Sequence, residues 1–427
     1  MDAVLQELGE ICGPGFVRGA GAADAVAGTP ARVVAAPGTV AGMVATLRSA
    51  VAHDLTVVPR GAGTKLDWGA PPTRVDLLVD TGRLAGVWHH SPGQRAAEVG
   101  AGTPLRAAQA RLARSGQRLA LDPASADATV GGVVATDEAG PLRHRSGGPA
   151  DQLIGVSYVR ADGVLAHSGS RPGRRAASSD VTRLLCGSYG ALGVLVSATF
   201  RVEALPATRV WVCRSVWTPL EVHDLVEETL ATGLDVAAME VDLPFGPPGL
   251  APRQRGRVGP RGPGTLAVLL EGATPTVDEQ AAVLMTVLGG DAVPAPTPPE
   301  WWRRYPFGPD DIALRVTAPR ADLHAAVYAL RDAAGAVVPV RGSPGAGVVY
   351  AAMSGRMAPL RAAAILDAVR GVLLPRGGSC VVLTAPSRVR TAVDLWGQRG
   401  SLPLLRQVKE RFDPDGRLAP GRYVGGI

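Results

Sequence analysis

The sequence predicts an α+β protein built as two packed units. Three observations carry this. A chain of 427 residues exceeds the length over which one hydrophobic core keeps growing. Strand-like and helix-like hydrophobic periods alternate along it, which argues against an all-β sandwich. The alternating strand through Phe200 and Val202 is followed by a fresh start of the pattern at Trp211. Hydrophobic residues make up 46%, charged residues 19% and aromatics 4%, a globular composition that leans on small aliphatic side chains.

The elements follow in order. After a Gly/Ala-rich segment, residues 1–28, Val33-Val34 reads as a strand. Val40, Met43, Val44, Leu47 and Val51 have helical spacing with Thr39 as N-cap, and Leu55–Val58 reads as the next strand. That β-branched run halts at Pro59 and empties into Arg60-Gly61-Ala62-Gly63-Thr64-Lys65-Leu66-Asp67-Trp68-Gly69, with no helix pattern behind it. Glycines there let the backbone approach an anion and turn several N–H groups toward it. A Walker loop is excluded, because Gly63 is followed by Thr64-Lys65-Leu66 rather than Lys and Ser or Thr. A dinucleotide fingerprint is excluded too, since Leu66 stands where its third glycine belongs. Next come Ala96–Val99 as strand, then Thr103-Pro104 as cap and first helical residue. Leu105, Ala108 and Leu112 share one helix face, and Gly116 is the stop.

From Trp211 to about Leu395, helical spacing recurs at Val222–Leu230, Gln280–Leu288, Leu323–Ala333 and Leu360–Val372. Strands are read near Leu266–Leu270, Ala313–Val316, Val348–Ala352 and Cys380–Leu383, giving one antiparallel sheet covered by helices on a face. Two Pro/Gly-rich stretches interrupt: Pro244–Gly264 reads as a flexible loop. Val293–Pro309 carries Trp301-Trp302-Arg303-Arg304-Tyr305, suited to a pocket mouth or partner surface.

Composition also narrows function. The net charge of +6 comes from 44 basic and 38 acidic residues, but the arginines are scattered, which reads as a solvated surface and not a nucleic-acid footprint. The densest group, Arg253, Arg255, Arg257 and Arg261, has no aromatic partner to stack a base. Cys12, Cys186, Cys213 and Cys380 are too far apart in sequence to assemble a local zinc or iron–sulfur site, and the seven histidines include no His-X-His pair, so no metal is expected. There is no basic-then-apolar leader and no apolar run near the roughly 18 residues of a membrane span, so a cytoplasmic protein is expected, with any membrane contact made through partners.

The glycine loop does not stand alone. Asp122-Pro123-Ala124-Ser125-Ala126-Asp127-Ala128-Thr129-Val130-Gly131-Gly132-Val133-Val134-Ala135-Thr136 and Gly187-Ser188-Tyr189-Gly190-Ala191-Leu192-Gly193-Val194-Leu195 follow it. In this order and spacing the three segments resemble the FAD-binding domain of the vanillyl-alcohol oxidase / p-cresol methylhydroxylase flavoproteins. Within them the sequence is most similar to the smaller FAD-binding subunit of bacterial glycolate oxidase. The ending from Leu405 to Arg422 and the Leu314-Arg315-Val316 strand share that similarity.

The resemblance implies a PCMH-type FAD-binding domain of two α+β subdomains over residues 29–203. It further implies an α+β cap with an antiparallel sheet over 204–400, and a segment, 401–427, that returns to the FAD domain. Carried over, it puts Pro59, Arg60, Gly61, Ala62, Gly63 and Thr64 on one side of the FAD pyrophosphate. Thr129, Val130, Gly131 and Gly132 lie on the other, with Pro123 stiffening the approach and Gly187, Gly190 and Val194 at the adenine or ring end. Some members tether the flavin through a histidine in the first loop; Thr64 stands there, so FAD is expected to be non-covalent. The implied activity is oxidation of glycolate or a D-2-hydroxy acid, beside a larger FAD subunit and an iron–sulfur subunit. Arg315 is the expected carboxylate anchor and no base is named. A stand-alone FAD oxidoreductase and a catalytically silent assembly subunit are the competing readings. Departures from the pattern are Arg174–Ser179, Tyr189 and Ala419, where the resembled subunit has a Lys-Asn-Val-Ala-Gly-Tyr run, an acidic residue and Asn.

Overall fold

A computed structural model describes residues 2–170, 180–244 and 263–427. Arg174–Ser179, the arginines at 253–261 and most of the Pro244–Gly264 stretch lie outside the described residues. The chain divides into two compact units: Met1–Ala139 with Gly147–Leu205 and Arg399–Ile427, and Gly140–Ser146 with Pro206–Gln398.

The first unit holds two large sheets and a small two-stranded one, Gln117–Arg118 with Glu203–Ala204. One runs Val17–Gly19, Ala31–Ala35, Val75–Asp80, Val57–Arg60 in space. Its first pair is antiparallel and the other two are parallel. The crossover between parallel strands is the helix Val40–Ala52. It starts where expected because Thr39 Oγ1 accepts from Gly42 N–H at 2.9 Å, and it buries Met43, Leu47 and Ala50. The second sheet is antiparallel throughout, in the order Val87–Ser91, Ala96–Gly100, Val194–Arg201, Leu153–Val159, Leu165–Gly169. Its core takes in Leu105, Ala108 and Leu112 of the helix Leu105–Ala113. Thr103 does not cap that helix. Its hydroxyl donates to Gly100 O at 2.6 Å and accepts from Gly86 N–H at 2.8 Å, holding a turn instead, while Pro104 takes the cap position.

Residues Arg399–Ile427 complete this unit. Val57 N–H donates to Arg417 O and Ala419 N–H to Val57 O, both at 2.8 Å, so the returning chain bridges beside the strand that feeds the glycine loop. Lys409, buried on the helix Leu402–Phe412, donates to Ala191 O, Leu418 O and Asp413 at 2.9, 2.7 and 2.5 Å. Ala419 holds φ 42°, the left-handed region that Asn tolerates better than Ala.

The second unit is one antiparallel sheet of eight strands. Their order is Val293–Ala295, Thr208–Val216, Gly264–Gly272, Val236–Leu243, Val340–Ser343, Val348–Met353, Ile312–Thr317, Ser379–Thr384. Helices Pro219–Ala231, Thr274–Leu288, Leu323–Ala334 and Pro359–Leu373 form the second layer, close to the spans read from periodicity. Val222, Val226, Leu323 and Val327 line a small cavity together with Val241, Leu243, Val340 and Val349 of the sheet. The opposite face carries Trp211, Ala238, Ala267 and Leu269, covered by Leu142 and Trp302. Trp302 meets Trp211 edge to face at 6.1 Å, so the Trp-rich stretch is a cover for this face. Its start, Val293–Ala295, is an edge strand paired to Trp211–Cys213. Strand Val236–Leu243 is buried along its whole length and so lacks the alternation that marks a half-exposed strand.

Candidate functional site

The first unit contains a cleft of about 760 Å3, its mouth included, at the C-terminal end of the parallel strand Val57–Arg60. Pro59, Arg60, Gly61, Ala62, Gly63 and Thr64 line it, facing Thr129, Gly131 and Gly132, with Ser188, Tyr189, Gly190, Gly193 and Leu195 nearby. The three segments singled out in the sequence therefore meet.

The geometry of the loop is set by close approach. A Cβ on Gly61 would lie 2.0 Å from Thr129 Oγ1, one on Gly131 2.8 Å from Ala101 Cβ, and one on Gly190 2.3 Å from Pro59 Cγ. Gly63 and Gly190 also have φ of 77° and 80°, where a side chain is strained. Gly131 is thus required by packing against Ala101 more than by free space in the cleft.

Among the described residues, the amides of Gly61, Ala62, Gly63 and Thr64 donate no hydrogen bond within the chain. Four consecutive amide donors on a cleft wall are what a pyrophosphate requires. The second segment is different. Val130 N–H donates to Thr103 O, Gly131 N–H to Ala101 O and Gly132 N–H to Thr129 Oγ1, at 2.9, 2.8 and 3.2 Å. These amides are already taken, two by carbonyls of the Ala101–Thr103 turn and one by the Thr129 cap of the helix Val130–Thr136, so the segment acts as a close-packed wall and the donors come from one side.

Several expected site residues sit elsewhere. Arg60 lines the cleft, but its guanidinium is held by Asp24 at 2.7 Å and Asp80 at 2.7 Å, which fixes the base of the loop. Arg18 also binds Asp24, and these cations hold that carboxyl well below the usual carboxylate range. Val130 and Val194 are fully buried in the cores beneath, and Gly187 and Pro123 do not reach the cleft; Ser188, Tyr189, Gly193 and Leu195 line it in their place.

Three contributors were not picked out from the sequence. Lys65 sits at the back of the cleft in an ion pair with Glu138, their side chains 5% and 0% exposed. Thr81 lines it and donates to Arg60 O. Arg422, from the returning segment, donates to Leu66 O, Trp68 O and Ala70 O at 3.2, 2.9 and 3.3 Å and lies 5.9 Å from the Tyr189 ring. Tyr189, where the resembled subunit carries an acid, takes φ 54° and presents its ring to that arginine.

In the second unit Arg315 lies in strand Ile312–Thr317, directly opposite Tyr350 and Val381. Its buried Nε has no partner among the described residues. Tyr350 is in turn opposite Arg341, which Asp242 neutralises at 2.9 Å. The four cysteines are free, no group of three or more His, Cys, Asp or Glu suited to a metal occurs among the described residues, and no described helix is long and apolar enough to cross a membrane.

Residues 31–169 match the FAD binding domain family. The chain is 31% identical to the glycolate oxidase subunit GlcE of Escherichia coli over 172 residues, 40% of this chain and 49% of that protein. It is 29% identical to a D-lactate dehydrogenase of Archaeoglobus fulgidus over 170 residues, 40% of this chain and 38% of that one. It thus spans about half or less of the length of these relatives. An uncharacterized FAD-linked oxidoreductase of Mycobacterium tuberculosis is 25% identical over 413 residues, 89% of this chain and 88% of that protein. The fold is that of p-cresol methylhydroxylase, with a TM-score of 0.72 at 14% identity over 99% of this chain and 96% of that one.

Fold, matched domain and amide-lined cleft together define a flavin-binding protein. Residues 31–169 form an FAD binding domain, the fold of the chain is similar to that of p-cresol methylhydroxylase, and its cofactor is FAD.

Proposed function

We propose that this chain is the FAD-binding subunit of a glycolate oxidase-like 2-hydroxy-acid dehydrogenase complex. It works beside a larger FAD subunit and an iron–sulfur subunit on glycolate or a D-2-hydroxy acid. The observation that carries the reading is the run of unpartnered amides at Gly61–Thr64, in a chain similar to a glycolate oxidase subunit and to a D-lactate dehydrogenase. When bound, FAD supplies an acceptor for the hydride of the substrate carbon.

The chain's own residues have distinct tasks. The amides of Gly61–Thr64 hold the pyrophosphate, and Gly61 keeps them against Thr129. Thr64 offers no imidazole for a tether, so the cofactor is held non-covalently. Arg315 binds the substrate carboxylate. Across its row of the sheet Arg341 is already neutralised by Asp242, whereas Arg315 has no acidic partner among the described residues. A guanidinium in that state binds a carboxylate through two parallel hydrogen bonds. The base and the exit for electrons are shared with the other subunits, and any membrane association of this cytoplasmic protein is made through them.

The end-to-end similarity to the mycobacterial FAD-linked oxidoreductase supports a second reading, a stand-alone oxidoreductase on another alcohol or hydroxy acid. Expressing the chain with and without its partners separates the two. Glycolate- or D-lactate-dependent reduction of an artificial acceptor should be slow or undetectable for the isolated chain and appear in the complex. Brisk turnover by the isolated chain overturns the subunit reading.

A further inference from the structure

Lys65 follows the four free amides directly. A lysine beside a glycine-rich phosphate loop invites the role of a point charge on the phosphates, but its surroundings give it another. Its Nζ pairs with Glu138, donates to Ser125 Oγ at 2.8 Å, and lies 3.4 Å from Thr64 Oγ1. Ser125 in turn donates its N–H and hydroxyl to Glu138 Oε1 at 3.2 and 2.9 Å. The charge and the hydrogens of the ammonium are thus engaged inside the chain, by the Glu138 carboxylate and the Ser125 and Thr64 hydroxyls. Trp68 closes one flank, its ring centroid 5.4 Å from Nζ. Burial pushes the Lys65 ammonium down from its usual range, and Glu138 offsets part of this.

The three partners come from the two walls of the cleft. Lys65 belongs to the amide loop, while Ser125 and Glu138 flank the segment that runs from Thr129 through the helix Val130–Thr136. We propose that Lys65 and Glu138 are positioning residues for FAD: an internal clasp that sets the spacing of the amide run from the Thr129 wall, with Lys65 making no direct bond to phosphate. This rests on FAD being the cofactor.

The two roles differ in how they respond to loss of the acid. If Lys65 were a phosphate ligand, removing Glu138 would free it and leave affinity unchanged or improved. If the pair is a clasp, either single loss is harmful, and an apolar pair of similar volume restores the spacing, since buried ion pairs are often replaced by packed apolar side chains without loss. The test uses the full chain, stripped of FAD and titrated with it by flavin fluorescence and calorimetry, at a temperature where thermal unfolding shows each variant folded. Glu138→Gln and Lys65→Met should each weaken binding by ~tenfold or more, and the double variant Lys65→Met/Glu138→Leu should return to within about threefold of wild type. Ser125→Ala, a milder cut of the same clasp, should weaken binding by roughly threefold and decides the matter with the double variant if Glu138→Gln does not fold. Loss with Lys65→Met alone, with Glu138→Gln unaffected and no recovery in the double variant, overturns the clasp in favour of a phosphate ligand. Unchanged affinity in every variant overturns both. Wild-type chain that takes up no FAD refutes the cofactor assignment itself.

Discussion

Gly61 is where a single methyl group should measure the cleft. A Cβ at this position would stand 2.0 Å from Thr129 Oγ1, 3.1 Å from its Cβ and 3.2 Å from its Cγ2, so something has to yield. Thr129 is 4% exposed and cannot swing into solvent. If its hydroxyl rotates away, the helix Val130–Thr136 loses the N-cap bond to Gly132 N–H, at a cost of about 1 kcal/mol. If the loop retreats instead, the amides of Gly61–Thr64 leave their positions, and overpacking of this kind costs roughly 1–3 kcal/mol. Either way Gly61→Ala should weaken FAD binding by about 5- to 150-fold, the affinity equivalent of that range. Titration of the stripped protein with FAD, followed by quenching of flavin fluorescence, reads the change. Thr129→Ala alone should cost only the cap, and in Gly61→Ala/Thr129→Ala the methyl regains room, so the double variant should bind FAD more tightly than Gly61→Ala. Wild-type affinity in Gly61→Ala, or no recovery in the double variant, would refute the close approach as the determinant.

Heat or acid denaturation should release intact FAD into the supernatant, because Thr64 supplies no tether; yellow precipitate with a colourless supernatant would contradict this. In the assembled complex, Arg315→Ala should raise KM for the 2-hydroxy acid or lower turnover with FAD content unchanged, and kinetics identical to wild type would remove Arg315 from the substrate site. Asp24 has a folded-state pKa below its ordinary 3.8, owing first to Arg18 and then to the Gly21 amide and Arg60. Its contribution to stability is therefore complete above about pH 4 and is lost as pH falls toward the folded value. Unfolding temperature measured from pH 7 to pH 2 should drop more steeply below pH 4 in wild type than in Asp24→Asn; parallel profiles would show that the carboxylate is not coupled to folding.

What could be read from the sequence divides along physical lines. Helices with a one-sided apolar stripe were legible, as at Val40–Ala52, where Thr39 caps as its residue type suggests. The glycine loop was legible because only small residues allow the approach that Gly61 and Gly190 make. Strand Val236–Leu243 was not, since burial of both faces erases alternation. Thr103-Pro104 has the residue types of a helix start, yet the Thr103 hydroxyl is claimed by Gly86 and Gly100, partners that only the folded chain brings near. The same limit applies to Arg60: an arginine beside a phosphate loop suggests an anion, and nothing local announces that Asp24 and Asp80 occupy it. Along the strand beginning at Val194, alternation shows that neighbours face opposite ways but not which way, so the expected Val194 is in the core and Leu195 lines the cleft. Lys65 with Glu138, and Arg422 with the carbonyls of Leu66, Trp68 and Ala70, are long-range pairings that no local pattern encodes.

The returning segment gives the site an order of assembly. The strand that feeds the glycine loop borrows a bridge from Arg417 and Ala419, and the loop's far side hangs on the guanidinium of Arg422, a contact spanning more than 350 residues of chain. A ribosome must therefore translate the whole second unit before the last braces of the cleft can be placed. During that interval the strand Val57–Arg60 lacks its bridge on that side, and closure of so long a loop is slow. These braces of the cleft are thus the last to be made, and a prematurely terminated product that ends before Arg399 would carry every glycine of the loop yet lack the contacts of Arg417, Ala419 and Arg422.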